Sequence, residues 1–182
     1  MKYAIGAGAV FAILIVALLV FIYSGEYSVA ATQPHTGLTR WALNTVMERS
    51  VRDHAREIEV PPLTDSAQIR NGFHHFDAMC VVCHGAPGES PSEIGEGLNP
   101  NPPELSEVVP EWSSAELYWI VKHGIKMSGM PAFGPTHSDD DLWAIVAFLR
   151  RLPGISPAQY QSIRAAYGSG GHAHGGEDEH EH

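Results

Sequence analysis

Cys80, Cys83 and His84 form a CxxCH pattern, with two thiols three positions apart and an imidazole directly after the second. On one helical turn, each thiol can form a thioether with a vinyl group of haem. The imidazole that follows is then held against the iron as its proximal ligand. The pattern therefore predicts a single, covalently attached haem c, with Cys80 and Cys83 as attachment points and His84 as an axial ligand.

Two other chemistries use closely spaced cysteines. A structural zinc site needs further thiolates or a second pair of ligands at metal spacing, whereas Cys80 and Cys83 are the only cysteines of this chain. A thioredoxin-like redox pair needs a βαβ setting, which the flanking sequence lacks. Haem attachment is the interpretation that uses every residue of the motif.

The sixth position of the iron separates an electron carrier from a ligand-binding protein, because a thioether fills that position and raises the reduction potential. Met130 is the candidate ligand, since it lies in a glycine-flanked loop and is followed by Pro131, which restricts the backbone. Met127 is the nearest alternative. Histidines near these segments are further alternatives, although such residues are more often surface or capping residues: His74, His75, His123 and His137.

The N-terminal segment 4–23 is an unbroken apolar run of 20 residues. A helix of this length spans the hydrocarbon core of a bilayer, which is about 30 Å thick. A cleaved signal peptide is the competing interpretation, because Ser28-Val29-Ala30 resembles a cleavage site, but signal segments have apolar cores of about 7 to 15 residues. We expect a retained single-pass anchor in a bacterial inner membrane, with Lys2 on the cytoplasmic side and the haem domain in the periplasm.

The rest of the sequence predicts an all-α fold. Apolar residues at three- and four-residue spacing indicate an amphipathic helix over 39–58, ended by Pro61 and Pro62. A second helix begins near Asp65 and runs into the motif, and 85–110 is expected to be a loop with little regular structure. Further helices are expected after the N-caps Ser113 and Ser138, and over 157–167.

These elements divide the chain into four parts. They are an anchor (or signal peptide) with its linker, 1–37; the amphipathic helix, 38–62; a haem domain, 63–155; and a short helix with a disordered tail rich in histidine and acidic residues, 156–182.

The formal net charge of −10 excludes a typical nucleic-acid-binding protein, because nucleic-acid binding rests on basic patches. It suits a surface that meets cationic partners. Part of the charge lies in the tail, where imidazoles alternate with carboxylates. Such groups suit Zn, Cu or Ni, so weak divalent metal binding by the tail is one hypothesis and a solvated terminus without a specific ligand is the alternative.

The stretch 65–153 resembles class I cytochromes c. The resemblance rests on Gly72 and Phe76 before the motif, the motif 80–84, the sequence Gly129-Met130-Pro131 with Phe133 after it, and the apolar helix over 142–152. It implies that this last helix crosses the helix that carries Gly72 and Phe76, with Trp143 or Phe148 near the crossing.

The resemblance also implies that a proline carbonyl after the motif accepts a hydrogen bond from Nδ1 of His84. Pro102 and Pro103 are both candidates. The expected function is that of a membrane-anchored periplasmic monohaem cytochrome c, not itself an enzyme, which carries single electrons between respiratory or dehydrogenase partners. Two alternatives stay open: a haem enzyme or gas sensor with an open sixth position, and a permanent cytochrome subunit of a larger oxidoreductase.

Overall fold

A computed structural model describes residues 2–167, which divide into two compact units, residues 2–34 and residues 35–167. Within the described residues the regular elements are helices, and no strand is present. They are, in chain order, α1 (Lys2–Ser24), α2 (Gly37–His54), α3 (Ser66–His75), α4 (Val81–His84), α5 (Glu93–Glu96), α6 (Leu105–Val108), α7 (Ser114–His123), α8 (Asp139–Leu149) and α9 (Pro157–Tyr167). The all-α prediction is confirmed for this part of the chain.

The first unit consists mainly of α1, whose apolar side chains are exposed. Its segment Ile5–Ser24 is long and apolar enough to cross a membrane, judged by length and composition. The expected apolar helix is therefore present, with ends within two residues of the predicted ones.

Helix α2 differs at both ends from the predicted range 39–58. It begins at Gly37 because the hydroxyl of Thr36 caps it by accepting a hydrogen bond from the Thr39 N–H. It ends at His54 because the N–H groups of Arg56 and Ile58 turn back to the carbonyls of Asp53 and Ala55, three residues earlier. The two prolines expected to end this helix lie well beyond its last turn.

The apolar side chains of α2 are covered only near its C-terminal end. Val51 and the adjoining Ala55 are 1% and 4% exposed, whereas Leu38, Trp41 and Val46 are 74%, 65% and 68% exposed. The second half of the helix therefore packs on the domain, and the first half presents an apolar surface to its surroundings.

The crossing of α3 and α8 forms the centre of the second unit. A Cβ added to Gly72 would lie 1.9 Å from the carbonyl oxygen of Ala144, so only glycine permits this approach. Phe148 is the aromatic residue at the crossing, with its ring centroid 5.5 Å from that of Phe73 and 5.1 Å from that of Phe76. Trp143, the other candidate, instead stacks on a tyrosine of α7.

Helix α9 packs on the same core, although the sequence pattern placed it outside the haem domain. Its Tyr160 is fully buried and contacts the rings of Phe73 and Phe76. Burying an aromatic ring of this kind stabilises a fold by about 2 kcal/mol. The packing therefore extends the domain to the end of α9.

Local capping signals set the starts of α7 and α8. In each case a serine hydroxyl accepts from the backbone N–H three residues on, and the acidic side chain there accepts from the serine N–H. The pairs are Ser113 with Glu116 and Ser138 with Asp141. Both predicted N-caps are confirmed.

The segment 85–110 is more ordered than expected. It contains α5, α6 and the start of a 3₁₀ turn, Val109–Glu111. The turn after the motif is closed by reciprocal backbone hydrogen bonds between Ala86 and Glu89. Outside these one-turn helices the segment is a loop, as predicted, and hydrogen bonds with the motif hold it in place.

Candidate functional site

The motif lies on a helical segment that changes its winding just before the first cysteine. Phe76–Cys80 is a π-helical turn, in which the Val81 N–H donates to the Phe76 carbonyl five residues earlier. Helix α4 follows and ends at Gly85, whose φ of 67° suits glycine. Cys80 therefore ends the π-helical turn, Cys83 and His84 lie together in the α-helical turn that follows, and both cysteines are free thiols.

The first thiol is poorly suited to thiolate chemistry. Burial, with a smaller effect from the nearby Cys83, raises the pKa of Cys80 to about 12. A redox-active CxxC pair needs a thiol whose pKa is lowered. The geometry therefore argues against a thioredoxin-like pair and agrees with cysteines that serve as attachment points.

The imidazole of His84 is oriented by one backbone group. Its Nδ1 donates to the carbonyl of Pro103 at 2.8 Å, so the neutral ring has its lone pair on Nε2. Burial lowers the pKa of His84, and the hydrogen bond to Pro103 offsets part of that change. A neutral, oriented imidazole is the form that binds a metal ion. Of the two prolines considered, Pro103 is the one that accepts the hydrogen bond.

The segment after the motif folds back onto it. Ser92 donates to the Val82 carbonyl through both Oγ, at 2.7 Å, and its backbone N–H, at 3.1 Å. A Cβ on Gly95 would lie 2.7 Å from the carbonyl oxygen of Cys83. Helix α5 is therefore held directly against the second cysteine.

Met130 lies in a loop between α7 and α8 whose backbone is well tied. Its carbonyl accepts from the Ile125 N–H at 3.2 Å, and its own N–H donates to the hydroxyl of Ser128 at 3.2 Å. Its side chain is partly buried. Met127, the alternative ligand, is 80% exposed and has a φ of 65°.

Close contacts connect the Met130 loop to the motif. A Cβ on Gly129 would lie 2.6 Å from the Leu98 side chain, and the Leu98 N–H donates to the carbonyl of Gly95. Because Gly95 packs on Cys83, the methionine loop and the second cysteine contact the same short segment. Glycines at both contacts allow this approach.

The other histidines have local partners. His75 lies 3.4 Å from Asp141, and its ring centroid is 5.2 Å from that of His137. The ring of His123 packs on Trp119 at 5.0 Å. These contacts fit the surface and capping roles expected for histidines outside the motif. Within residues 2–167, no group of three or more metal-ligating side chains is close enough to hold an ion.

One cluster that positions the motif gave no signal in the sequence. Arg164 binds Asp77 at 2.6 Å and also pairs with Glu89, and the hydroxyl of Tyr160 donates to Asp77 at 2.7 Å. This cluster ties α9 to the segments on both sides of the CxxCH motif. Arg164 and Asp77 are 87 positions apart, so no local spacing connects them.

The residues present fit a haem c. Two free thiols and an imidazole with Nδ1 fixed form the donor set that covalent attachment and axial ligation require. The histidine-rich tail, 168–182, lies outside the described residues, so its metal binding stays a prediction.

Residues 67–149 match the protein family described as cytochrome C oxidase, cbb3-type, subunit III. No curated protein matches the chain. The matched range starts in α3 and ends with α8, so it contains the motif, the segment that folds back onto it and the methionine loop.

Proposed function

We propose, from the match of residues 67–149 to a cytochrome family, that the chain is a membrane-anchored monohaem cytochrome c that carries single electrons. Haem c is the cofactor that such a domain implies. When bound, it supplies a reversible one-electron couple, ferric to ferrous iron. The protein binds and orients the group, limits the access of water and presents it to redox partners.

Four side chains hold the cofactor in this proposal. Cys80 and Cys83 would form the two thioethers, His84 would bind the iron through Nε2, and Met130 would supply the second protein ligand. The observation that carries the proposal is the hydrogen bond from His84 Nδ1 to the Pro103 carbonyl at 2.8 Å. Such a bond fixes the ring for ligation and makes the imidazole a better ligand.

Met130 is favoured over Met127 by its surroundings. Its backbone is held on both sides, and its side chain is partly buried. Met127 is 80% exposed, so binding a buried iron would require it to move. A filled sixth position suits an electron carrier better than a haem enzyme or a gas sensor.

The proposed location is supported by α1. A single apolar helix near the N-terminus supports an anchor in a bacterial inner membrane, with the haem domain in the periplasm. An anchor confines encounters to the membrane surface and so raises the effective concentration of membrane-bound partners. The histidine-rich tail would add weak binding of divalent metal ions; equal binding of Zn or Cu by the full chain and by a chain ending at Gly168 would exclude that role.

The deciding experiment is the visible spectrum of the reduced, haem-loaded protein before and after carbon monoxide is added. We expect no change for the wild type and for Met127→Ala, and a carbon monoxide adduct for Met130→Ala. An adduct in the wild type would instead favour an enzyme or a sensor. An adduct in Met127→Ala alone would make Met127 the ligand.

A permanent subunit of a larger oxidoreductase is the second candidate. The matched family is described as an oxidase subunit, and the exposed side chains Leu38, Trp41 and Val46 form an apolar surface on α2. Replacing these three side chains by serine leaves the haem spectrum unchanged. If the protein then separates from its complex in detergent, α2 is a subunit contact; retention would count against that role.

A further inference from the structure

The surface beside the motif exposes apolar side chains. Val82, which lies between the two cysteines, is 40% exposed, and Ile94 is 66% exposed. Ser92 binds the Val82 carbonyl through two hydrogen bonds and stands two residues before Ile94. The two apolar side chains therefore lie on neighbouring segments next to the cysteines.

The part of the sequence that contains these side chains is acidic. Residues 71–121 contain eight acidic residues and no lysine or arginine. Three of the acidic residues have local partners: Asp77 and Glu89 pair with Arg164, and Glu116 caps α7. The other five are exposed and form no ion pair with any residue of the described chain: Glu93, Glu96, Glu104, Glu107 and Glu111.

These exposed carboxylates lie on the segments that hold the motif, and Glu104 also accepts a hydrogen bond from the Ser106 hydroxyl at 2.6 Å. Glu93 and Glu96 flank Ile94 in α5, the helix that packs on Cys83. Glu104 directly follows Pro103, whose carbonyl orients the axial histidine. The negative charge and the exposed apolar side chains thus share the surface closest to the cofactor-binding residues.

We propose that Val82 and Ile94, with Glu93, Glu96 and Glu104 around them, form the docking surface for a redox protein whose contact face is cationic. This inference rests on the proposed electron-transfer function and adds the charge of the partner. Interfaces commonly combine an apolar centre with a polar rim. The carboxylates attract lysine and arginine side chains and raise the rate of encounter.

The charge also argues against other occupants. A second copy of this chain presents the same negative face and is repelled. The phosphates of a membrane surface are negative as well. A partner with lysine or arginine around an apolar contact is complementary to this surface in charge and in its apolar centre.

The test is an NMR titration of the full-length, haem-loaded, ¹⁵N-labelled protein in detergent. The probe is a basic c-type cytochrome whose haem edge is ringed by lysines. We expect amide shifts at Val82 and over 92–97. The double variant Glu93→Gln, Glu96→Gln weakens binding by about twofold to tenfold, and Ile94→Ser weakens it at constant charge.

The matched control is Glu57→Gln, Glu59→Gln, which removes the same charge from exposed positions outside this surface. The proposal would be overturned if both double variants weakened binding of the basic cytochrome equally. It would also be overturned if the amide shifts were confined to α2 or to a contact between two copies of the chain. Oxidation of the reduced protein by hexacyanoferrate(III) tests electron transfer separately from the docking surface. Failure of every variant to react would reject the electron-transfer function, whereas normal reaction with unaltered probe binding would reject only the docking surface.

Discussion

The backbone of Gly72 lies so close to Ala144 that an added Cβ would be 1.9 Å from the Ala144 carbonyl oxygen and 2.5 Å from its carbonyl carbon. Neither atom belongs to a flexible side chain. Any larger residue must therefore move α3 away from α8 and disturb the core that supports the motif.

Gly72→Ala is expected to destabilise the haem-loaded protein by about 2 kcal/mol or more, because overpacking here is opposed by backbone. Urea unfolding followed by far-UV circular dichroism measures the change. Gly154→Ala is the control, since no atom lies within 4 Å of its added Cβ. Similar midpoints for the two variants would show that the crossing tolerates separation.

Removing the guanidinium of Arg164 should weaken the attachment of α9. We expect Arg164→Met to lower the free energy of unfolding by about 1 to 3 kcal/mol, because two carboxylates lose their partner. The loss is below that of a fully buried pair, since the Arg164 side chain is 30% exposed. Arg56→Met, which breaks an exposed pair with Asp53, should cost about 0.5 kcal/mol or less. A larger effect of Arg56→Met would contradict this assignment.

Asp141 should make part of the stability dependent on acid pH. Hydrogen bonds from Ser138 lower the pKa of this carboxyl, with smaller contributions from Asn71 and His75, against burial. In the unfolded chain it titrates near its ordinary value of about 3.9. Its contribution is therefore complete above that pH and is lost as the pH falls through the lower pKa of the folded state.

The measurement is the free energy of unfolding of Asp141→Asn between neutral pH and the acid range. We expect a loss of about 1 kcal/mol at neutral pH, which shrinks toward zero in acid. Asp140→Asn is the control, because that carboxylate lies outside the capping box. A constant difference at all pH values would show that the loss is not linked to titration of Asp141.

Gly124 should control the position of the methionine loop. Its φ is 65°, and an added Cβ would lie 2.7 Å from the carbonyl oxygen of Met130. Gly124→Ala costs about 1 to 2 kcal/mol from backbone conformation alone and shifts the loop. We expect the reduced protein to gain carbon monoxide binding. Gly25→Ala has the same positive φ without neighbours, so it should not do so.

The parts of the fold with local signals could be predicted from the sequence. The CxxCH motif and the serines that cap α7 and α8 need only a few consecutive residues. Met130 rests on a similar short pattern, and its role as a ligand stays a prediction. The resemblance to class I cytochromes c implies that a proline carbonyl orients His84. It does not choose between Pro102 and Pro103, because the choice between adjacent residues depends on the path of a loop.

Features set by distant contacts could not be predicted. Arg164 meets Asp77 only when α9 packs on the core. The apolar stripe of α2 indicated burial along the whole helix, but the domain covers only the end near Val51. The spacing of apolar residues shows which face of a helix favours burial. It does not show along how much of the helix another element packs.

The π-helical turn Phe76–Cys80 sets the rotational phase between two parts of one helix. Phe76 begins the turn and is buried against Phe148 of α8, Cys80 ends it and Cys83 follows, and each residue in the turn winds less than in an α-helix. Such a turn acts as a single extra residue. Deleting one exposed residue there, Ala78, would restore α-helical winding and leave both attachment points at nearly the same rotation, because five π-helical residues turn about as far as four α-helical ones. The extra residue therefore keeps the cysteines in phase with the buried core, and an insertion or deletion in the regular helix on either side should be far less tolerated than one within the turn.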